Sequence, residues 1–233
     1  MVRVIKFLTI FIIMSLNVNI IYAEYDTKDN LLSAIVSNDE TAVRKYLSDP
    51  INVQKELNPE CPPSTICKPI SFAVRKSNIQ IISLLIDAGA DINAANGFSG
   101  DTPLIIAISN NRRDVVKFLI EKGADINKAN KFGITPFWGL CAMGDFELVH
   151  LLITKGANIN FTGRMQERSP GKQQFVYGVT PLMISVKNGY LDITNLLLKN
   201  GADIKLKDSL GRSALDYARL TGNPDMIKIF KNK

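Results

Sequence analysis

Apolar and polar positions along this chain recur with a long beat. "TPLIIAISNNRRDVVKFLIEKGADIN" at 102–127 is followed by "TPFWGLCAMGDFELVHLLITKGANIN" at 135–160 and "TPLMISVKNGYLDITNLLLKNGADIK" at 180–205. Upstream, "KPISFAVRKSNIQIISLLIDAGADIN" at 68–93 repeats the pattern with Lys68 in the threonine place. Pro69 and Pro103 are 34 residues apart (103 − 69), Pro103 and Pro136 are 33 apart, and Pro181 and Ala214 are again 33 apart. "DNLLSAIVSNDETAVRKYLSDPINV" and "SALDYARLTGNPDMIKIF" at the two ends are degenerate copies. Self-similarity at this period marks a stacked array of small units.

The pattern inside each unit predicts two helices. Thr102, Thr135 and Thr180 are placed to cap a helix whose first residue is proline, where a missing N–H costs nothing. That short apolar helix breaks near Asn111, Gly144 or Gly189. The second carries apolar residues at helical spacing, as in Val115, Val116, Leu119 and Ile120. Gly89, Gly123, Gly156 and Gly201 end it, since glycine accepts a left-handed backbone. A small residue recurs four places after the unit start, at Ala73, Ala107, Ser185 and Ala218, where bulk would push neighbours apart. No unit can bury its apolar face alone, so the stack is the fold.

These T-P-L starts, V-V-x-x-L-L second helices and G-A-D-I-N finishes resemble the ankyrin repeat family over roughly residues 26–231. The resemblance implies an all-α solenoid of helix–turn–helix units with β-hairpin loops. About six units fit, at 26–57, 68–97, 98–130, 131–160, 176–208 and 209–233, in one domain from 24 to 233 with inserted loops at 58–67 and 161–175. The family's usual histidine after T-P-L is replaced by Leu32, Ser71, Ile105, Trp138, Met183 and Asp216. Histidine-centred hydrogen bonds between units are therefore expected to be missing.

Composition changes the picture at the N-terminus. Hydrophobic content of 46% and charged content of 21% are ordinary for a globular chain of 233 residues, and the net charge of +6 points to acidic partners. Arg3 and Lys6 precede an uncharged run from Phe7 to Ala23. That arrangement predicts a secretory signal, residues 1–23, cleaved after Ala23, and hence a periplasmic protein. The alternative is an uncleaved anchor, which Ser15, Asn17 and Asn19 weaken. Cleavage removes two cations and no anions, leaving 26 − 22 = +4. An exported protein with scattered charge is expected to bind no nucleic acid, and after cleavage no membrane. Cys61 and Cys67 bracket "CPPSTIC", and an exported chain lies where disulfides persist. A bridge closing so short a loop is worth about 2 kcal/mol, against the alternative of two free thiols.

Candidate chemistry is sparse. His150, the only histidine, falls on a second helix beside Leu151 and Leu152, and Cys141 occupies a slot filled elsewhere by Val74, Ile108 and Val186. Asn160-Phe161-Thr162 has the form of a glycosylation acceptor, although Asn160 is the routine last residue of its unit. No metal-ligand spacing or phosphate-cradling loop is present, so the sequence argues against an enzyme, a cofactor or a metal.

A surface remains. In the family resembled, loops project as fingers and first helices line a concave face. That implies contact positions at Phe98, Phe132 and Tyr177 on the loops, and at Arg75, Lys76, Met143 and Lys187 on the helices, with Trp138 beside a small–large swap at Gly139 and Leu140. The swap reads either as repacking or as a notch. Simple loop packing is the alternative for the aromatics. The join from Asn160 to Thr180 holds 19 residues, where that from Asn127 to Thr135 holds 7. It carries Phe161, Arg164, Arg168 and Lys172 against Glu167, a local +2, with a turn at Ser169-Pro170-Gly171. The expectation is a hairpin finger reaching over the concave face to grip an acidic patch on a protein partner; a passive loop is the rival. The chain looks like exported bacterial ankyrin proteins, some of which neutralise antibacterial toxins, including lipases. The resulting expectation is a monomer when free that occludes a toxin. A scaffold for a resident enzyme such as catalase and a host-directed effector are the other readings.

Overall fold

The computed structural model describes residues 30–48, 53–60, 68–169 and 172–231; for Gln54, Lys55, Arg168, Ser169, Lys172, Gln173 and Lys231 it describes the backbone alone. The expected signal segment and the Cys61–Cys67 pair lie outside the described residues.

Pairs of short antiparallel helices follow one another: α1 (Leu31–Val36) with α2 (Glu40–Leu47), then α3 (Val53–Leu57), α4 (Pro69–Lys76) with α5 (Ile79–Asp87), and α6 (Pro103–Ser109) with α7 (Arg113–Glu121). They continue as α8 (Pro136–Met143) with α9 (Phe146–Thr154), α10 (Pro181–Asn188) with α11 (Leu191–Lys199), and α12 (Ala214–Thr221) with α13 (Pro224–Lys231). First helices touch in the order α1, α4, α6, α8, α10, α12 and form a continuous inner row, with second helices packed behind them. Among the described residues no helix is long and apolar enough to cross a membrane.

Local chemistry sets these boundaries. The hydroxyls of Thr102, Thr135 and Thr180 accept the backbone N–H of Ile105, Trp138 and Met183 at 3.3, 3.1 and 3.1 Å, each with proline next. Lys68, in the same place, provides no side-chain cap. Gly89, Gly123, Gly156 and Gly201 all have positive φ. Ala73, Ala107, Ser185 and Ala218 are fully buried, so the backbones of successive first helices approach closely.

Neighbouring units are also tied by a ladder of asparagines. Oδ1 of Asn58, Asn93, Asn127 and Asn160 accepts the backbone N–H of Asp91, Asp125, Asn158 and Asp203 in the following unit at 2.8–3.0 Å. An asparagine at or near the end of each of these units thereby pins the next. Asn160, read also as a glycosylation acceptor, has this structural role.

One expectation changes and one open alternative is decided. Regular hairpins were expected at the loops generally, yet among the described residues a strand ladder forms only at the long join; the one isolated bridge is Asn96 with Asp101. In the short join, Asn130 Oδ1 accepts the N–H of both Phe132 and Ile134, closing a turn too tight for strands. At the swapped pair, Leu140 is buried and Gly139 half-buried, and a Cβ on Gly139 would meet Ile108 Cγ2 at 3.5 Å, an ordinary contact. This is repacking, with no notch beside Trp138. Gly139→Ala should therefore stabilise by about 0.5–1 kcal/mol through helix propensity. A higher urea midpoint at unchanged slope checks this.

Candidate protein-binding edge

The long join folds into a hairpin, β1 (Gly163–Ser169) against β2 (Lys172–Val179). Ser169 faces Lys172 at the tip, and pairing runs through Glu167–Gln174 and Met165–Val176 to Gly163–Val179. The register slips between Gly163 and Met165, where Tyr177 and Gly178 together oppose Arg164. Gly178, with φ of 74°, takes the left-handed conformation at this bulge. The strand runs straight into the cap Thr180, so the inserted element extends past 175.

Alternation along the strands gives the hairpin two faces. Met165, Val176 and Val179 turn inward and are buried; Phe175 and Tyr177 turn outward, 49% and 54% exposed. Beneath the base lies Trp138, whose indole Nε1–H donates to Val179 O at 2.8 Å. The histidine-type link expected to be missing between units is thus supplied here by the residue in the histidine place. Trp138 is buried, so it serves as a seat for the hairpin and offers no surface to a partner, contrary to its sequence assignment. A Cβ on Gly163 would lie 3.1 Å from Trp138 Nε1 and 3.2 Å from Gly133 O, which explains glycine at the seat.

Both edges of the hairpin are fastened to neighbouring loops. On one side Arg164 N–H donates to Phe132 O at 3.0 Å, and the Arg164 guanidinium lies between the rings of Phe132 and Phe175, 3.8 and 4.2 Å from their centroids. Phe98 extends the row, its ring 6.0 Å from that of Phe132 and 69% exposed. On the other side Ser209 N–H donates to Tyr177 O at 2.8 Å, and Tyr177 N–H donates to Ser209 Oγ at 3.0 Å. Exposed Leu210 comes next. The sequence assigned Arg164 to an acidic partner; the fold uses it first as a rivet between two aromatic rings.

Under the hairpin, charges neutralise one another. Glu167 accepts from Arg212 Nη1 at 3.0 and 3.2 Å and lies 3.6 Å from Lys187 Nζ. Lys187 is also 3.0 Å from Met165 Sδ. Arg212 Nε donates to Asp208 at 2.8 Å and its Nη2 to the Tyr217 hydroxyl at 2.7 Å, while that hydroxyl donates to Asp208 at 2.6 Å. Burial pulls the Lys187 ammonium below its usual range, with Glu167 opposing. Burial pushes the Asp208 carboxyl up, but hydrogen bonds from Tyr217 and Arg212 outweigh it and hold the group below the usual range. Lys187, assigned by sequence to partner contact, instead holds the hairpin against α10.

The remaining sequence assignments scatter. Met143 and Lys76 are exposed, Arg75 and Phe161 half-buried, and Arg168 and Lys172 lie on the strands near the tip. Phe175 was missed, although the alternation Phe175-Val176-Tyr177 carried its signal. Asp208, Arg212 and Tyr217 bond one another locally, but the role of Arg212 at the hairpin depends on Glu167, 45 residues away, and that contact left no local trace. Cys141 is buried, which pushes its thiol far up and leaves it unreactive. Exposed His150 stacks on Phe146, 6.5 Å between centroids. Among the described residues no cluster of His, Cys, Asp and Glu could hold a metal ion.

Comparison with known proteins fits this architecture. The model for ankyrin repeats in sets of three copies matches residues 31–130, 122–208 and 140–233, and the chain belongs to the ankyrin repeat family. Such repeats are protein–protein interaction modules, typically without catalysis. It is 34% identical over 93 residues to ankyrin repeat and SAM domain-containing protein 6 of Rattus norvegicus, covering 40% of this chain and 9% of that protein. It is 30% identical over 91 residues to the potassium channel GORK of Arabidopsis thaliana, 39% of this chain and 10% of the channel. With transient receptor potential cation channel subfamily V member 5 of Oryctolagus cuniculus, the figures are 37% over 79 residues, 33% and 11%. The matched stretch spans about a tenth of each of these relatives.

Two outcomes follow for the hairpin seat. Trp138→Phe keeps the ring but leaves Val179 O without its donor, and should lower stability by about 1–3 kcal/mol in urea unfolding. Asp208 has a lower pKa folded than its unfolded value of about 3.9. Its contribution is therefore complete above that value and is lost as pH falls through the folded pKa. Thermal midpoints measured from pH 6 to 2.5 should fall less steeply for Asp208→Asn than for the parent.

Proposed function

We propose that this chain is a non-catalytic protein-binding module, exported to the periplasm, that inhibits an acidic protein partner by covering it, as an immunity protein covers a toxin such as a lipase. The observation that carries the binding edge is the aromatic row, exposed Phe98 to half-buried Phe132 to exposed Phe175 with Tyr177 beyond, riveted by Arg164. Exposed aromatics on a rigid support have the composition of interface anchors and lose little conformational entropy on binding. Export is supported by the basic, then uncharged, first 23 residues. An acidic partner is supported by the +4 balance after cleavage and by exposed Lys131 and Lys207 beside the row. Inhibition is supported by the resemblance to exported immunity proteins.

The hairpin is too well seated for its removal to leave stability untouched, because deleting 163–174 would take away the inward Met165 and the Glu167 ion pairs. Outward positions provide the cleaner test. Phe98→Ala with Tyr177→Ala should shift unfolding by less than about 0.5 kcal/mol, yet weaken binding to the product of the adjoining reading frame roughly tenfold or more in calorimetry. Equal affinity removes this edge as the paratope. Continued killing by a toxic neighbour, despite stable periplasmic co-expression, removes the inhibitory role.

A further inference from the structure

The hairpin has an edge that the fold uses only in part. Tyr177 turns both its N–H and its C=O away from β1, towards Ser209. Along an antiparallel strand the backbone groups of alternate residues point the same way. The register, with no slip between Val176 and Lys172, therefore turns the N–H and C=O of Phe175 and Gln173 outward as well. Ser209 and its loop stop at Tyr177, and among the described residues no backbone hydrogen bond from outside the hairpin reaches Phe175. The β1 edge is likewise taken at its base, where the Phe132 carbonyl accepts from Arg164, but the exposed rings of Phe175 and Tyr177 belong to β2.

We propose that this outer edge of β2 receives an extended strand from the partner, whose side chains alternate between carboxylates and apolar groups. The proposal rests on the reading of the chain as a protein-binding module. Strand addition to an open edge gives affinity through main-chain hydrogen bonds and selectivity through every second side chain. An added strand runs beside Gln173 and Phe175 and ends where Ser209 takes the Tyr177 backbone, with the exposed rings of Phe175 and Tyr177 on one face for its apolar side chains. Carboxylates on that strand suit a hairpin whose sequence carries a net +2, from Arg164, Arg168 and Lys172 against Glu167. Lys172 begins β2 and exposed Lys207 lies beyond the Tyr177 end, while the hairpin's one acidic residue, Glu167, is turned inward onto Arg212 and Lys187. The same charges repel the β2 edge of a second copy, so the occupant is an acidic strand and not this chain.

The test uses the full mature chain and a short fluorescein-labelled peptide of alternating glutamate and isoleucine, followed by anisotropy. Saturable binding is expected. Methylating the peptide's backbone nitrogens at alternate positions, on the edge facing the protein, should weaken it roughly tenfold or more, and exchanging glutamate for lysine should abolish it. Phe175→Pro, which removes the outward N–H and leaves the inner ladder of Val176 and Gln174 in place, should lose far more affinity than Phe175→Leu. Trp138 fluorescence and the unfolding midpoint check that the hairpin of each variant stays seated. Absence of binding, equal binding of both N-methyl registers, or equal binding of the lysine peptide each overturns strand addition. If the adjoining gene product binds through Phe98 and Tyr177 while Phe175→Pro binds it as well as Phe175→Leu does, the module reading stands and strand addition falls.

Discussion

Close approach between successive first helices is the constraint on which everything else depends. Each helix pair is too small to hide its own apolar face, so it is stable only against a neighbour. The approach is made possible by fully buried Ala73, Ala107, Ser185 and Ala218, and it is held in step by asparagines that reach from one unit to the next backbone. Proline and a capping threonine start α6, α8 and α10 at the same place, so the apolar side chains of adjacent units meet in register. A stack held this way is insensitive to what its loops do, provided both ends of a loop return to the correct positions.

That tolerance makes room for the hairpin, but the hairpin is no passenger. Its base is tied from below by Trp138, on one edge by the Phe132 loop, and on the other by the Ser209 loop. Glu167 then draws it onto Lys187 of α10 and Arg212 of the last join. Ion pairs of this half-buried kind add little net stability, since their desolvation offsets much of the attraction. What they decide is position: the inward face is committed to the stack, and only the outward face is left for another molecule.

The division between the two faces also explains where residue-type reasoning about binding succeeds and where it fails. An aromatic or a cation in a loop has the composition of a contact residue whether it faces a partner or the fold. Phe98 and Tyr177 face solvent, whereas Trp138, Arg164 and Lys187 are occupied by the protein itself. The proposed partner role of the exposed group rests on such repeats being protein–protein interaction modules and on those side chains being left to solvent.

The sequence by itself determined the units, their helix starts and ends, and the small residues between them, because caps, glycine stops and apolar spacing act over a few residues and repeat. It also marked the long join and its turn. Only the tertiary structure decided which way that join faces, that Trp138 replaces a lost inter-unit hydrogen bond, and that Glu167 meets Arg212. Those outcomes depend on contacts between residues about 40 to 50 positions apart, made only after the units have stacked, and no local pattern encodes the distance between such side chains.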